Sequence, residues 1–181
     1  MTEPLEFRIT LYPDPILRKV ARPVERFDDE LKATVRAMFD LMYRSQGVGL
    51  AAPQAGLDTR ILVLNPTGDP AQADQELALV NVTILDRSGP VGLYEEGCLS
   101  FPQIYAEVKR PERCRIRACD PEGREFEKDY DGFTSRVIQH EYDHLEGVLL
   151  VDRMSPADKA RNKVALGELV ERYRRGQPAG R

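Results

Sequence analysis

Both histidines of the chain fall within one six-residue stretch, Gln139-His140-Glu141-Tyr142-Asp143-His144, and no other feature constrains the fold as much. On an α-helix, residues four apart sit about 40° apart around the axis, so both imidazoles project from one face with Glu141 beside them. That is the donor geometry of a divalent metal site with a carboxylate at hand. A helix is therefore expected over residues 133–146. Asp131 is available as its cap, and Gly147 follows where a left-handed residue ends a helix.

Two imidazoles leave an ion under-coordinated, because a catalytic site takes three protein ligands and keeps one position open. The residue six positions after His144 is Leu150, which cannot coordinate. Glu168 and Glu171 can, as in a zinc endoprotease, but they lie in a charge-dense run that reads as a solvated helix. Cys98 is the competing candidate. It follows a glycine in Glu95-Glu96-Gly97-Cys98-Leu99-Ser100, where the backbone can approach another group closely. Cys114 and Cys119 have no such context and read as small buried hydrophobes. A further segment, Gly47-Val48-Gly49-Leu50-Ala51-Ala52-Pro53-Gln54, lets a backbone pass close to a ligand and offers the Gln54 amide as a neutral donor.

The chain has 181 residues, 41% hydrophobic and 31% charged, which fits one domain able to bury a core without disulfides. Any metal is then free to be catalytic. A net charge of −4 argues against general nucleic-acid binding and gives no reason to expect specific DNA binding. Three cysteines with no CxxC spacing suit a reducing compartment. Met1 to Phe7 carries acids and a proline where a signal peptide needs basic and then apolar residues, so a cytoplasmic protein is expected. The longest apolar run, Val148 to Val151, is far too short for a membrane span.

Prolines 13, 15 and 23 mark the first 27 residues as an extended surface arm. Leu31, Val35, Met38 and Met42 recur at helical spacing between an Asp28 or Asp29 cap and a stop at Gly47. Strands are expected over residues 60–65, 77–85, 105–109, 114–119, 124–130 and 148–152, with turns at Arg110-Pro111-Glu112 and Asp120-Pro121-Glu122-Gly123. Ser155-Pro156 opens a C-terminal helix. The expected architecture is a single α+β domain: antiparallel sheets around the central metal-bearing helix, with an N-terminal and a C-terminal helix. A catalytic unit over residues 1–175 would leave a disordered tail at 176–181.

Taken together, Gly47 to Gln54, Glu96-Gly97-Cys98-Leu99-Ser100 and Gln139 to Gly147 resemble the peptide deformylases in residues, order and spacing. The resemblance runs from about Ile9 to Tyr173. It implies that Cys98, His140 and His144 hold the metal, that Glu141 is the acid/base, and that Gln54 and the Leu99 N–H form an oxyanion site. It also implies a methionine pocket lined by Val48, Gly49, Phe133 and Val137. Tyr105 stands near the place where many members carry an arginine that helps hold the peptide backbone.

The implied reaction is removal of the formyl group from N-formylmethionyl peptides, releasing formate. One thiolate and two imidazoles leave a divalent ion with a net charge of about +1, which makes hydroxide available near neutral pH. The resemblance favours Fe²⁺ in the cell, and Zn²⁺, Ni²⁺ or Co²⁺ suit the same ligands. From Ser155 onward basic residues outnumber acidic ones seven to three. This basic end is expected to make a transient contact with the ribosome, where formylated chains emerge.

Overall fold

A computed structural model describes residues 5–176. Its first helix, α1 (Asp29–Arg44), starts where the Asp28 side chain accepts the Leu31 N–H at 3.1 Å, with Asp29 and Glu30 facing the positive end of the helix dipole. Leu31, Val35, Met38 and Met42 form its buried stripe. The left-handed residue that ends the helix is Gln46 (φ 58°) rather than Gly47, whose N–H returns to the Met42 carbonyl at 2.9 Å.

Five strands follow in sequence order within one antiparallel sheet: β1 (Gly49–Ala51), β2 (Ile61–Leu64), β3 (Leu77–Cys98), β4 (Phe101–Cys119) and β5 (Glu125–Tyr130). All of β2 is buried because its two faces serve different cores. Ile61 and Val63 pack with the α1 stripe. Leu62 and Leu64, pointing the other way, pack with Val137, Ile138 and Leu145 of α2 (Gly132–Leu145). The sheet thus carries α1 on one face and the histidine helix on the other.

Several expectations are corrected. The two strands expected around Arg110-Pro111-Glu112 are one continuous β4, and β3 continues past Leu85 to Cys98. Pro111 is accommodated opposite Val91, beside an irregularity in the β3–β4 register, where a missing N–H costs little. Arg110 is buried rather than in a turn. Residues 148–152 form no strand: α3 (Leu150–Arg153) is a single helical turn whose entry is fixed by the Leu149 N–H on Asp152 at 2.8 Å. Asp131 stands at the start of α2, but its side chain makes no capping bond. The C-terminal helix is two, α4 (Pro156–Arg161) and α5 (Lys163–Arg174), broken at Asn162.

The arm is no free surface segment either. Leu17 and Ala21 are buried, the Thr10 N–H donates to the Gln54 carbonyl at 2.7 Å, and the Tyr12 N–H donates to Ser100 at 3.0 Å. One stretch of arm therefore braces both the Gln54 loop and the turn after Cys98. Residues 1–4 of the arm and residues 177–181 of the expected tail lie outside the described residues. Among the described residues, no helix is long and apolar enough to cross a membrane.

The arm also explains Gly147. A Cβ there would meet the Arg18 carbonyl oxygen at 2.4 Å, and the residue has φ 70°. Gly132 shares a positive φ of 54° but has nothing within 4 Å. Gly147→Ala is expected to destabilise the protein by at least about 1 kcal/mol more than Gly132→Ala, which carries the conformational cost alone. Thermal melts of the two variants measure the difference. Equal shifts would mean that the arm does not press on this turn.

Candidate metal centre and active site

Cys98 ends β3, and a two-residue turn through Leu99 and Ser100 returns the chain into β4. This puts its thiol over α2. The donor atoms of Cys98, His140 and His144 all lie within 4.8 Å of one another, with Cys98 Sγ 3.2 Å from His144 Nε2. Ligands bound to one ion at about 2.3 Å (sulfur) and 2.0–2.1 Å (nitrogen) stand roughly 3–3.7 Å apart. One thiolate and two imidazoles also suit a divalent transition metal. The residues fit such an ion. Glu168, the rival third ligand, is exposed on α5 and takes no part in this cluster.

His140 is oriented from behind: its Nδ1 lies 3.0 Å from Glu96 Oε2, which leaves Nε2 available to the site. Glu96 is buried and also accepts from Arg110 at 2.7 and 3.0 Å and from Arg136 at 2.8 Å. Arg110 reaches on to Asp143 of α2 at 2.9 Å, and Arg153 closes on the same carboxylate at 2.6 Å. Burial alone would raise the Glu96 carboxyl, but the hydrogen bonds from His140 and Arg110 outweigh it and hold the group well below the usual range. For His140, burial works against the charged ring, yet Cys98 and Glu96 hold its pKa above the ordinary value. His144 goes the other way, driven down by burial and by the charge of His140.

Glu141 lies on the same helix and lines the same cleft as His140. Burial pushes its carboxyl up to about 7, against the pull of His140 and Arg110. Its Oε2 is buried with no hydrogen-bond partner among the described residues, as is His144 Nδ1. Gln54 is equally buried. Its Oε1 accepts the Ala51 N–H at 2.9 Å, so the amide must present Nε2 to the centre, 3.5 Å from Cys98 Sγ. Gly49 is obligatory at this point, since a Cβ would come within 2.6 Å of Glu141 Oε1 and 2.7 Å of Val137.

Cys98, His140, Glu141 and Gln54 line one cleft of about 810 Å³, and His144 is buried. Val48, Gly49, Phe133 and Val137 form part of its wall with Leu99, so the sequence-predicted residues are brought together. Sequence reasoning missed Glu96, Arg110, Arg136, Asp143 and Arg153. A partial signal was present, because strand alternation places Glu96 on the same side as Cys98.

A Cys-His-His donor set with a carboxylate and an amide in an open cleft defines the site of a metal-dependent hydrolase. Comparison with known proteins agrees: the family model for polypeptide deformylase matches residues 7–160. Peptide deformylase 1B, chloroplastic/mitochondrial, of Arabidopsis thaliana is 49% identical over 148 residues, covering 82% of this chain and 54% of the relative. The chain thus spans about half the length of that relative. The peptide deformylase of Thermotoga sp. (strain RQ2) is 40% identical over 169 residues, covering 93% and 99%. Among solved structures, a mutant of the Arabidopsis enzyme superposes with a TM-score of 0.90 at 43% identity, covering 94% of this chain and 93% of that one. The Plasmodium falciparum peptide deformylase gives 0.90 at 41% identity, covering 95% and 99%. The chain belongs to the polypeptide deformylase family, metal-dependent hydrolases that remove the N-formyl group from nascent peptides. The endoprotease alternative finds no support.

Arg110 supplies a stability test of the buried network. Arg110→Met removes the charge between two buried carboxylates, and breaking such a cluster costs about 3–5 kcal/mol. Urea unfolding of the variant is expected to show a loss of that size. A loss below about 1 kcal/mol would mean that Glu96 and Asp143 are held by Arg136 and Arg153 alone.

Proposed function

We propose that this chain hydrolyses the formyl amide of N-formylmethionyl peptides, with Cys98, His140 and His144 as metal ligands. The observation that carries the reading is the convergence of these three donors at one cleft, with Glu141 and Gln54 beside them. A divalent ion held there supplies Lewis acidity, lowering the pKa of water toward neutrality and polarising a carbonyl.

The chain's own groups do the rest. Glu141, buried and with a pKa near 7, takes a proton from the attacking water and delivers it to the departing amine. Gln54 Nε2 and the Leu99 N–H donate to the oxygen of the tetrahedral intermediate, where charge develops. The Gln54 amide does not have to reorganise for this, because Ala51 already fixes its other end. Val48, Gly49, Phe133 and Val137 take the methionine side chain: Val137 is buried on the helix face that carries His140, and Gly49 keeps the entrance open.

We assign residues 1–175 as the catalytic unit and the cytoplasm as the compartment, in keeping with three free cysteines. Iron is the proposed metal in the cell, with zinc, nickel and cobalt as substitutes. The basic C-terminal helix is the proposed ribosome contact, through exposed arginines such as Arg174 and Arg175, although Glu171 already pairs with Arg175 at 3.0 Å. Replacing Arg174 and Arg175 by glutamine is expected to weaken co-sedimentation with ribosomes at low salt. Unchanged co-sedimentation would remove the proposal.

Formate release from formyl-Met peptides tests the main reading. Glu141→Ala is expected to keep its metal and lose about 10²- to 10⁴-fold in turnover. Loss of metal from this variant would instead make Glu141 a ligand. The iron form is expected to lose activity in air as Cys98 oxidises, while the nickel form stays active. Full activity of the iron form in air, with an unmodified Cys98 by mass spectrometry, would contradict this.

A further inference from the structure

The cleft wall carries three arginines, Arg44, Arg136 and Arg172, and they are not equivalent. Arg136 is consumed internally: it donates to Glu96 Oε1 at 2.8 Å, to the Gly92 carbonyl at 2.9 Å and to the Val108 carbonyl at 3.1 Å, and lies over the Tyr94 ring. Arg44 donates to the Phe7 carbonyl at 3.4 Å. The Arg172 side chain makes no hydrogen bond or ion pair with the described residues. Glu171 beside it is taken by Arg175, and Glu95, the exposed acid of the cleft, forms no ion pair with it.

The fold holds Arg172 at this rim by ordinary packing. Leu166 and Leu169 of α5 dock on Phe101 and Ile104 at the start of β4. Asn162, at the head of α5, donates to the Tyr105 carbonyl at 2.9 Å. Arg172 follows Leu169 by three residues, so it leaves the helix on the same flank, one turn further along. There it shares the cleft with Gln103 and Tyr105, which is half exposed. A helix remote in sequence thereby contributes an unneutralised cation to the channel that holds Glu141 and His140.

We propose that Arg172 is a specificity-determining residue that reads the substrate downstream of methionine, favouring an aspartate or glutamate side chain within the next few residues. The inference rests on the deformylase reading above. The guanidinium is exposed, so its pairing with a carboxylate is modest and screened by salt. It changes how tightly a peptide is held rather than the chemical step, and so it acts on KM.

The test uses the metal-loaded protein and a series of formyl-Met peptide amides with glutamate, glutamine or lysine at the second, third or fourth position. The amide ends remove the competing terminal carboxylate. At one position, wild-type kcat/KM is expected to favour glutamate over lysine by about two- to fivefold, mainly through KM, and less at high salt. Arg172→Gln brings that ratio to about one, and Arg172→Glu reverses it. Lys163→Gln, which removes a charge elsewhere on α5, keeps the wild-type ratio. Binding of the matching deformylated peptides, followed by fluorescence anisotropy without turnover, is expected to rank in the same order. An equal ratio in wild type and Arg172→Gln, or no preference at any position, would overturn the inference while the deformylase reading stands. Failure of the wild-type protein to release formate from formyl-Met-Ala amide would overturn both.

Discussion

The cleft depends on one buried carboxylate. Glu96 accepts four N–H donors: two from Arg110 on β4, one from Arg136 and one from His140, both on α2. Its own strand carries Cys98 two residues later. A single ionised group therefore fixes the distance between the strand that brings the thiol and the helix that brings the imidazoles. A charge buried this deeply is tolerable only when fully paired, and here Arg110 and Asp143 complete the pairing. The same carboxylate fixes the His140 ring, so stability and the orientation of a candidate ligand arise from one hydrogen-bonded cluster.

A second constraint is covering. The face of α2 that carries the candidate metal ligands looks toward a turn, a three-residue strand and a short loop, none of which is stiff by itself. The arm supplies the bracing, with Thr10 bonded to the Gln54 carbonyl and Tyr12 to Ser100. Proline-rich segments lack sheet or helix ladders of their own, and their free N–H groups go instead to the loops that carry the site. Further along the arm, a short 3-10 turn over Pro15–Arg18, capped by Asp14, buries Leu17, and Ala21 is buried beyond it.

Much of the site was legible because its chemistry is local. His140, Glu141 and His144 follow from helical spacing, α1 from its apolar stripe and cap, and Gln54 and Cys98 from glycine-rich contexts joined to a family resemblance. What stayed hidden depends on contacts between distant segments. Arg110-Pro111-Glu112 has the composition of a turn, yet Arg110 is drawn into the core by Glu96 and Asp143, 14 and 33 residues away, and β4 runs straight through. Residues 148–152 have strand propensity, yet they fold as the single helical turn α3. Asp152 instead caps the turn and pairs with Arg18 of the arm. Local propensity is a weak guide wherever burial of charge or a capping contact decides the conformation.

The central claim is that a strand-borne thiolate and two helix-borne imidazoles act on one ion. X-ray absorption at the metal edge of the zinc- or nickel-loaded protein tests it most directly. The account predicts one sulfur neighbour at about 2.3 Å and two nitrogen neighbours at about 2.0–2.1 Å, with the sulfur shell lost in Cys98→Ser. A spectrum of nitrogen and oxygen neighbours alone, unchanged by that substitution, would contradict it.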